Sequence, residues 1–154
     1  MLEMRLLQWF FLLLILGCGV ETPLSQSGLT GRWVLDNGGF IDFSAQANEV
    51  TARGGAFGFR LPLTGIYWSG VSLTAFHFSG AQDGNQVWFF KIQRRSEFLM
   101  LQEIDRAAIE RLFGITNEDD MSSQEVKDVF DLLENETIPT VSVNQLTIEY
   151  QRVD

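Results

Sequence analysis

The chain has 154 residues, a formal net charge of −9 and a single cysteine. Acidity of this degree excludes the basic footprint that nucleic-acid binding needs, and one cysteine excludes an internal disulfide or a multi-thiolate metal site. Hydrophobic residues reach 45% without any low-complexity tract or internal repeat, a globular composition with enough apolar mass for one core.

Residues 6–16 read Leu-Leu-Gln-Trp-Phe-Phe-Leu-Leu-Leu-Ile-Leu, and Gly17, Cys18 and Gly19 follow. The run is shorter than the about 20 apolar residues of a bilayer span. It has the length of a signal-peptide core and ends in a small residue, as a cleavage site does. An uncleaved anchoring helix and a buried N-terminal helix are the other readings. The Ile15-Leu16-Gly17-Cys18 ending resembles the lipobox of bacterial lipoproteins. That resemblance implies removal of a signal peptide over 1–17, leaving Cys18 as a lipidated mature N-terminus of the palmitate-bearing kind. Several acyl chains on one residue meet the requirement that stable anchoring takes more than one chain. Localisation in the bacterial cell envelope follows. Gly19 leaves outer-membrane sorting open, to the periplasmic side or the surface, where the cell has two membranes. With Cys18 given to lipid, cysteine nucleophile chemistry is also excluded.

Residues 18–28 are polar, carry Pro23 and lack periodicity, so they read as a lipidated tether. The remaining 29–154 read as a single β-domain. From residue 29 to 104 turn residues separate stretches rich in β-branched and aromatic side chains, which predicts short strands near 31–36, 39–44, 48–53, 56–63, 65–69, 71–79, 86–93 and 97–104. Asn37-Gly38-Gly39 and Asp83-Gly84-Asn85 suit tight hairpins. Gly54, Gly55 and Gly58 predict a bulge or sharp bend, and Pro62 an edge or a break. A helical insertion over about 105–134 comes next. Ala108, Ile109, Leu112 and Phe113 have helical spacing, Gly114 suits a C-terminal cap, and Ser122 with Glu125 fits a capping box. Beyond Pro139 a half-buried last strand alternates, with Leu146, Ile148, Tyr150 and Arg152 on one face.

The predicted fold is mainly β: an antiparallel barrel or strongly curved sheet of about eight to nine strands, with a two-helix insertion before the last strand. An open sheet or sandwich with packed helices is the alternative. Gly31-Arg32-Trp33 matches the Gly-x-Trp that opens lipocalin-like (calycin) barrels, and the order of strands, helical segment and last strand is similar to theirs. The resemblance implies an arginine packed over Trp33. Arg106, after the predicted eighth strand, and Arg152, inward by alternation, are the candidates. The Thr-Asp-Tyr motif and disulfide usual in lipocalins are absent, and the two-helix region is longer than their single helix.

His77, the lone histidine, lacks a Gly-x-Ser-x-Gly elbow to serve, and one histidine excludes a multi-histidine zinc site. Glu118, Asp119 and Asp120 could offer oxygen ligands to calcium but lack the Asp-x-Asp-x-Asp-Gly loop; standing before Ser122, they read as a helix-favouring charge run. Catalytic residues, a metal site and a cofactor are therefore not expected. The aromatic set pulls towards function more strongly. An eight-stranded barrel is either filled by its side chains or holds one small ligand. Trp33, Phe57, Phe59, Trp68, Trp88, Phe90 and Tyr150 are the candidate lining of such a pocket. The expected function is a non-enzymatic interaction or structural β-domain, held at the membrane by its acyl anchor and meeting an envelope protein partner. The alternative is a carrier or sensor of a small apolar ligand.

Overall fold

The computed structural model describes residues 26–81, 84–135 and 143–154. The apolar run over 6–16, Cys18 and the tether up to residue 25 lie outside the described residues. Helix α1 (Gln26–Leu29) precedes β1 (Gly31–Val34), β2 (Phe40–Phe43), β3 (Glu49–Gly54), β4 (Phe59–Ser69), β5 (Leu73–Ala81), β6 (Gly84–Arg95) and β7 (Phe98–Ile104). Then come α2 (Arg106–Phe113), α3 (Ser123–Asn135) and β8 (Val143–Val153). The eight strands close into one antiparallel barrel in sequence order. Closure is by β1 against β8, with Trp33 opposite Arg152.

Two segments differ from the sequence reading. Residues 56–63 and 65–69 do not form separate strands: β4 runs unbroken from Phe59 to Ser69. Gly65 makes this possible. A Cβ there would stand 2.4 Å from the His77 carbonyl oxygen, so only glycine lets β4 and β5 approach so closely. Pro62 falls where the β3–β4 register shifts and before the β4–β5 pairing begins at Ile66, so its missing N–H leaves no paired position empty. The second difference is α1, which turns the end of the supposed tether into a helical turn.

Period-two alternation divides the apolar residues into two cores. Trp33, Phe43, Tyr67, Phe76, Phe78, Phe90 and Tyr150 fill the barrel interior. The outer faces of β5 and β6, through Leu73, Ala75, Val87 and Phe89, are apolar too and lie under the helices. Helix α3 covers them with Val126, Val129, Phe130 and Leu133, a spacing that puts all four on one stripe. Both helices start where the sequence predicts. Asp105 accepts a hydrogen bond from the Ala107 N–H at 3.1 Å, and Gly114 ends α2 at φ 65°. Ser122 and Glu125 exchange the two bonds of a capping box, at 2.7 and 3.3 Å.

Candidate functional site

The two ends of the barrel are built differently. At one end Trp33 is fully buried and its Nε1 donates to the Leu29 carbonyl at 2.8 Å. The guanidinium carbons of Arg94 and Arg152 each stand 5.7 Å from the Trp33 ring centroid. Arg94 also donates through Nη1 to the Gly28 carbonyl, tying α1 across this end. Arg106 is not here. It caps Trp88 at the opposite end, so of the two candidate arginines only Arg152 lies over Trp33. Arg94, which sequence reading missed, follows Trp88, Phe90 and Ile92 at period two on the inward face of β6, and that spacing was its available signal.

The opposite end is a mouth lined by rings. A 3-10 turn, Gly55–Phe57, crosses it and drives the Phe57 side chain inward until 5% of the residue remains exposed. Phe57 meets Phe59, Phe76, Phe78, Trp88 and Phe90 at centroid distances of 5.0 to 5.7 Å. The Ala56 N–H donates to the Tyr150 hydroxyl at 2.9 Å. Burial pushes the Tyr150 phenol up to about 12, so this hydroxyl stays neutral. Gly55 is required at this spot, since a Cβ would fall 2.2 Å from that oxygen and φ is 56°. Of the candidate pocket residues, Phe57, Phe59, Trp88, Phe90 and Tyr150 gather at the mouth. Trp33 lies at the other end, and Trp68 is not in the barrel at all. It points outward from β4 into the helix-covered core, because the residue beside it, Tyr67, takes the inward position.

Beside the mouth three elements assemble a polar cluster. The register of β6 with β7 starts at Phe90, which leaves the Val87 backbone beyond the ladder. Arg106 Nη2 donates to the Val87 carbonyl at 3.0 Å, and the Val87 N–H donates to Asp119 at 3.1 Å. Arg106 and Asp119 are themselves paired at 3.1 Å, so the two side chains replace the missing strand. The Arg106 guanidinium lies 5.0 Å from the Trp88 ring centroid. Glu118 sits behind it, 1% exposed, with Oε2 4.0 Å from Arg106 Nε and Oε1 without a hydrogen-bond partner. Burial pushes the Glu118 carboxyl up to about 7, against the pull of Arg106 and with the help of Glu110, Asp119 and Glu103. Trp88 Nε1 is likewise buried and unpartnered. The acidic run is therefore committed to the barrel edge: Asp119 and Glu118 face Arg106. His77 faces outward under the helices, with Nε2 3.2 Å from the Met121 carbonyl oxygen.

On the helical cover, an open groove of about 510 Å³ runs between the α2 C-terminus and α3. Phe113, Ile115, Met121, Val129 and Leu132 supply its apolar lining, and Asp120, Glu125 and Asp128 its carboxylates. Leu112 and Leu132 are 60% and 51% exposed. Among the described residues no helix is long and apolar enough to cross a membrane. No protein-family model matches this chain, and neither a curated protein nor a solved structure matches it.

Proposed function

We propose that this chain is a lipid-anchored protein of the bacterial cell envelope, whose lipocalin-like barrel serves as a rigid, non-enzymatic interaction module. The observation that carries this reading is where the apolar surface goes. The barrel spends its aromatic side chains on one another, with interior rings in mutual contact from Phe43 and Tyr67 to Trp88. Apolar side chains remain in reach of a partner on the helical cover, where Leu132 lines an acidic-rimmed groove with Phe113, Ile115, Met121 and Val129 and Leu112 is exposed on α2. Large exposed apolar side chains gathered beside a polar rim are a mark of protein contact. The anchoring half of the reading is supported by the 6–18 sequence and by the charge. At −9 the chain gains nothing from anionic lipid, so the acyl chains on Cys18 would have to hold it.

Photo-crosslinking in the intact envelope tests the interaction. A crosslinking side chain in place of Leu132 should give one discrete adduct, and one in place of Leu61, 74% exposed on the barrel wall, should give none. Equal labelling from both positions, or none from either, overturns the module reading. For the anchor, wild-type chain should incorporate a palmitate analogue and sediment with membranes. C18S should do neither, and a membrane-bound, labelled C18S would sink that half.

A further inference from the structure

The acidity of this chain gathers on its helical cover. From residue 105 to 135 nine aspartates and glutamates stand against three cationic side chains. Those three are already engaged. Arg106 bonds Asp119 and the Val87 carbonyl, Arg111 Nε donates to the Ala107 carbonyl at 3.0 Å, and Lys127 pairs with Asp131 one turn along α3. The carboxylates on the rim of the groove, Asp120, Glu125 and Asp128, therefore meet no cation among the described residues. Glu125 is bonded to the Ser122 hydroxyl and Asp128 to the Gln124 amide, neutral donors that leave both charges uncompensated.

Among the described residues no strand borders this groove. Its lining comes from the end of α2, the segment from Gly114 to Met121, and α3. An extended peptide would find no strand edge to pair with there, and its backbone groups would lie unpaired against apolar side chains. A helix satisfies its own backbone and needs only side-chain contacts. Glu125, Asp128 and Leu132 recur at helical spacing along about 10 Å of α3, enough for two turns of a partner helix. Charge then selects the partner. A second copy would set the same three carboxylates against their own kind across a two-fold axis, and an anionic lipid surface would be repelled likewise.

We propose that the groove takes a short amphipathic helix of a partner protein, one that presents two apolar side chains one turn apart between lysines or arginines. The apolar pair lies on Val129 and Leu132 beside Phe113 and Ile115, and the cations reach Asp120, Glu125 and Asp128. This inference rests on the interaction-module reading and names the chemistry of its partner.

The probe is a fluorescent helical peptide of about 15 residues, with two leucines one turn apart and lysines beside them. Anisotropy follows its binding to the full chain in phosphatidylcholine nanodiscs, with empty discs as the blank. One control has the same composition with the leucines on opposite faces; the other has glutamate for every lysine. The lysine peptide should bind saturably, and more weakly as salt rises. L132A should weaken binding about tenfold, by loss of an apolar contact, and D120N/D128N about fivefold, the scale of two exposed ion pairs. L61A, on the barrel wall, should bind as wild type does. Absence of saturable binding, either control peptide binding as tightly, or unchanged affinity in both groove variants overturns the proposal. If position 132 still gives its single adduct in the envelope while the lysine peptide fails, the module stands and its basic-helix partner falls. If both fail, both fall.

Discussion

Each end of the barrel sets a tryptophan under an arginine, and the two are finished to different degrees. Trp33 has no exposure, a hydrogen-bonded indole N–H and a guanidinium from each of two strands. Trp88 is partly buried, has one guanidinium from a helix, and its indole N–H meets no acceptor. Near Trp88 lie an unpaired Glu118 oxygen and a turn running through glycines at positive φ, while at the Trp33 end Ser69 Oγ is unpartnered and the hairpin residues Ala47 and Ser96 hold φ of 58° and 50°. The contrast teaches that the two tryptophans differ in how fully their surroundings are satisfied: the Trp33 indole is bonded and doubly covered, while the Trp88 indole N–H and Glu118 Oε1 are buried without partners.

The largest expected effect tests that contrast directly. W33A should cost about 3–5 kcal/mol, the range for emptying a large buried aromatic site, and W88A well below that, because Trp88 is already partly solvated. Urea unfolding followed by circular dichroism measures both, and equal losses would break the comparison. Next in size is the pH dependence from Glu118. Its folded carboxyl titrates at about 7 against the ordinary 4.5. Below about 4.5 both folded and unfolded chains hold the proton, so nothing is lost. Between 4.5 and 7 the unfolded chain releases the proton while the folded chain keeps it, and stability falls as pH rises, by at most about 3 kcal/mol. Above 7 the full loss is present. The stability difference between E118Q and wild type should therefore grow in favour of E118Q from pH 4.5 to 7 and then level off; a difference that stays flat refutes the buried-carboxyl account. Third, W33F leaves the Leu29 carbonyl without its donor and should cost about 1–3 kcal/mol, whereas W88F removes a donor that has no acceptor and should cost almost nothing.

The finished end was the easier one to read in the sequence. Gly31-Arg32-Trp33 marked its first strand, and alternation through Ile148 and Tyr150 carried Arg152 inward to Trp33. The helix caps at Gly114, Ser122 and Glu125 were equally legible, because each depends on residues within one turn; the Asp105 cap, equally local, was missed. The mouth was legible only as composition. Phe57, Phe59, Trp88, Phe90 and Tyr150 could be nominated as rings, but Phe57 sits on a 3-10 turn rather than a strand, and the neighbouring Ala56 N–H is held there by the Tyr150 hydroxyl, 94 residues beyond Ala56. Trp68 misled because β4 and β5 are apolar on both faces where the helices cover them, and period two says that faces differ without saying which one is inside. The Arg106, Glu118 and Trp88 cluster joins three separated segments around the stretch of β6 that pairs with β5 but has no β7 partner. Its geometry comes from where the β6–β7 ladder stops, and no local pattern encodes that.

The smallest effect sharpens the contrast most finely. R152M keeps an unbranched stem over Trp33 and deletes the charge, so the packing of the stem survives and only the cation–ring attraction goes. Arg94 stays at 5.7 Å from the same ring, and the expected loss is about 0.5–1 kcal/mol. The matching change at the mouth, R106M, should cost more although it too removes one guanidinium from one indole. There the guanidinium also bonds the Val87 carbonyl and Asp119 and is the cation nearest Glu118. Its removal leaves a backbone acceptor unpaired and lifts the pull that opposes burial of Glu118, so the Glu118 titration should move above about 7 in R106M and stay in place in R152M. Thermal melts across pH for the two variants separate these outcomes. A Glu118 titration that moves equally in both would mean that the two arginines act through overall charge, and the distinction between the ends would rest on their tryptophans alone.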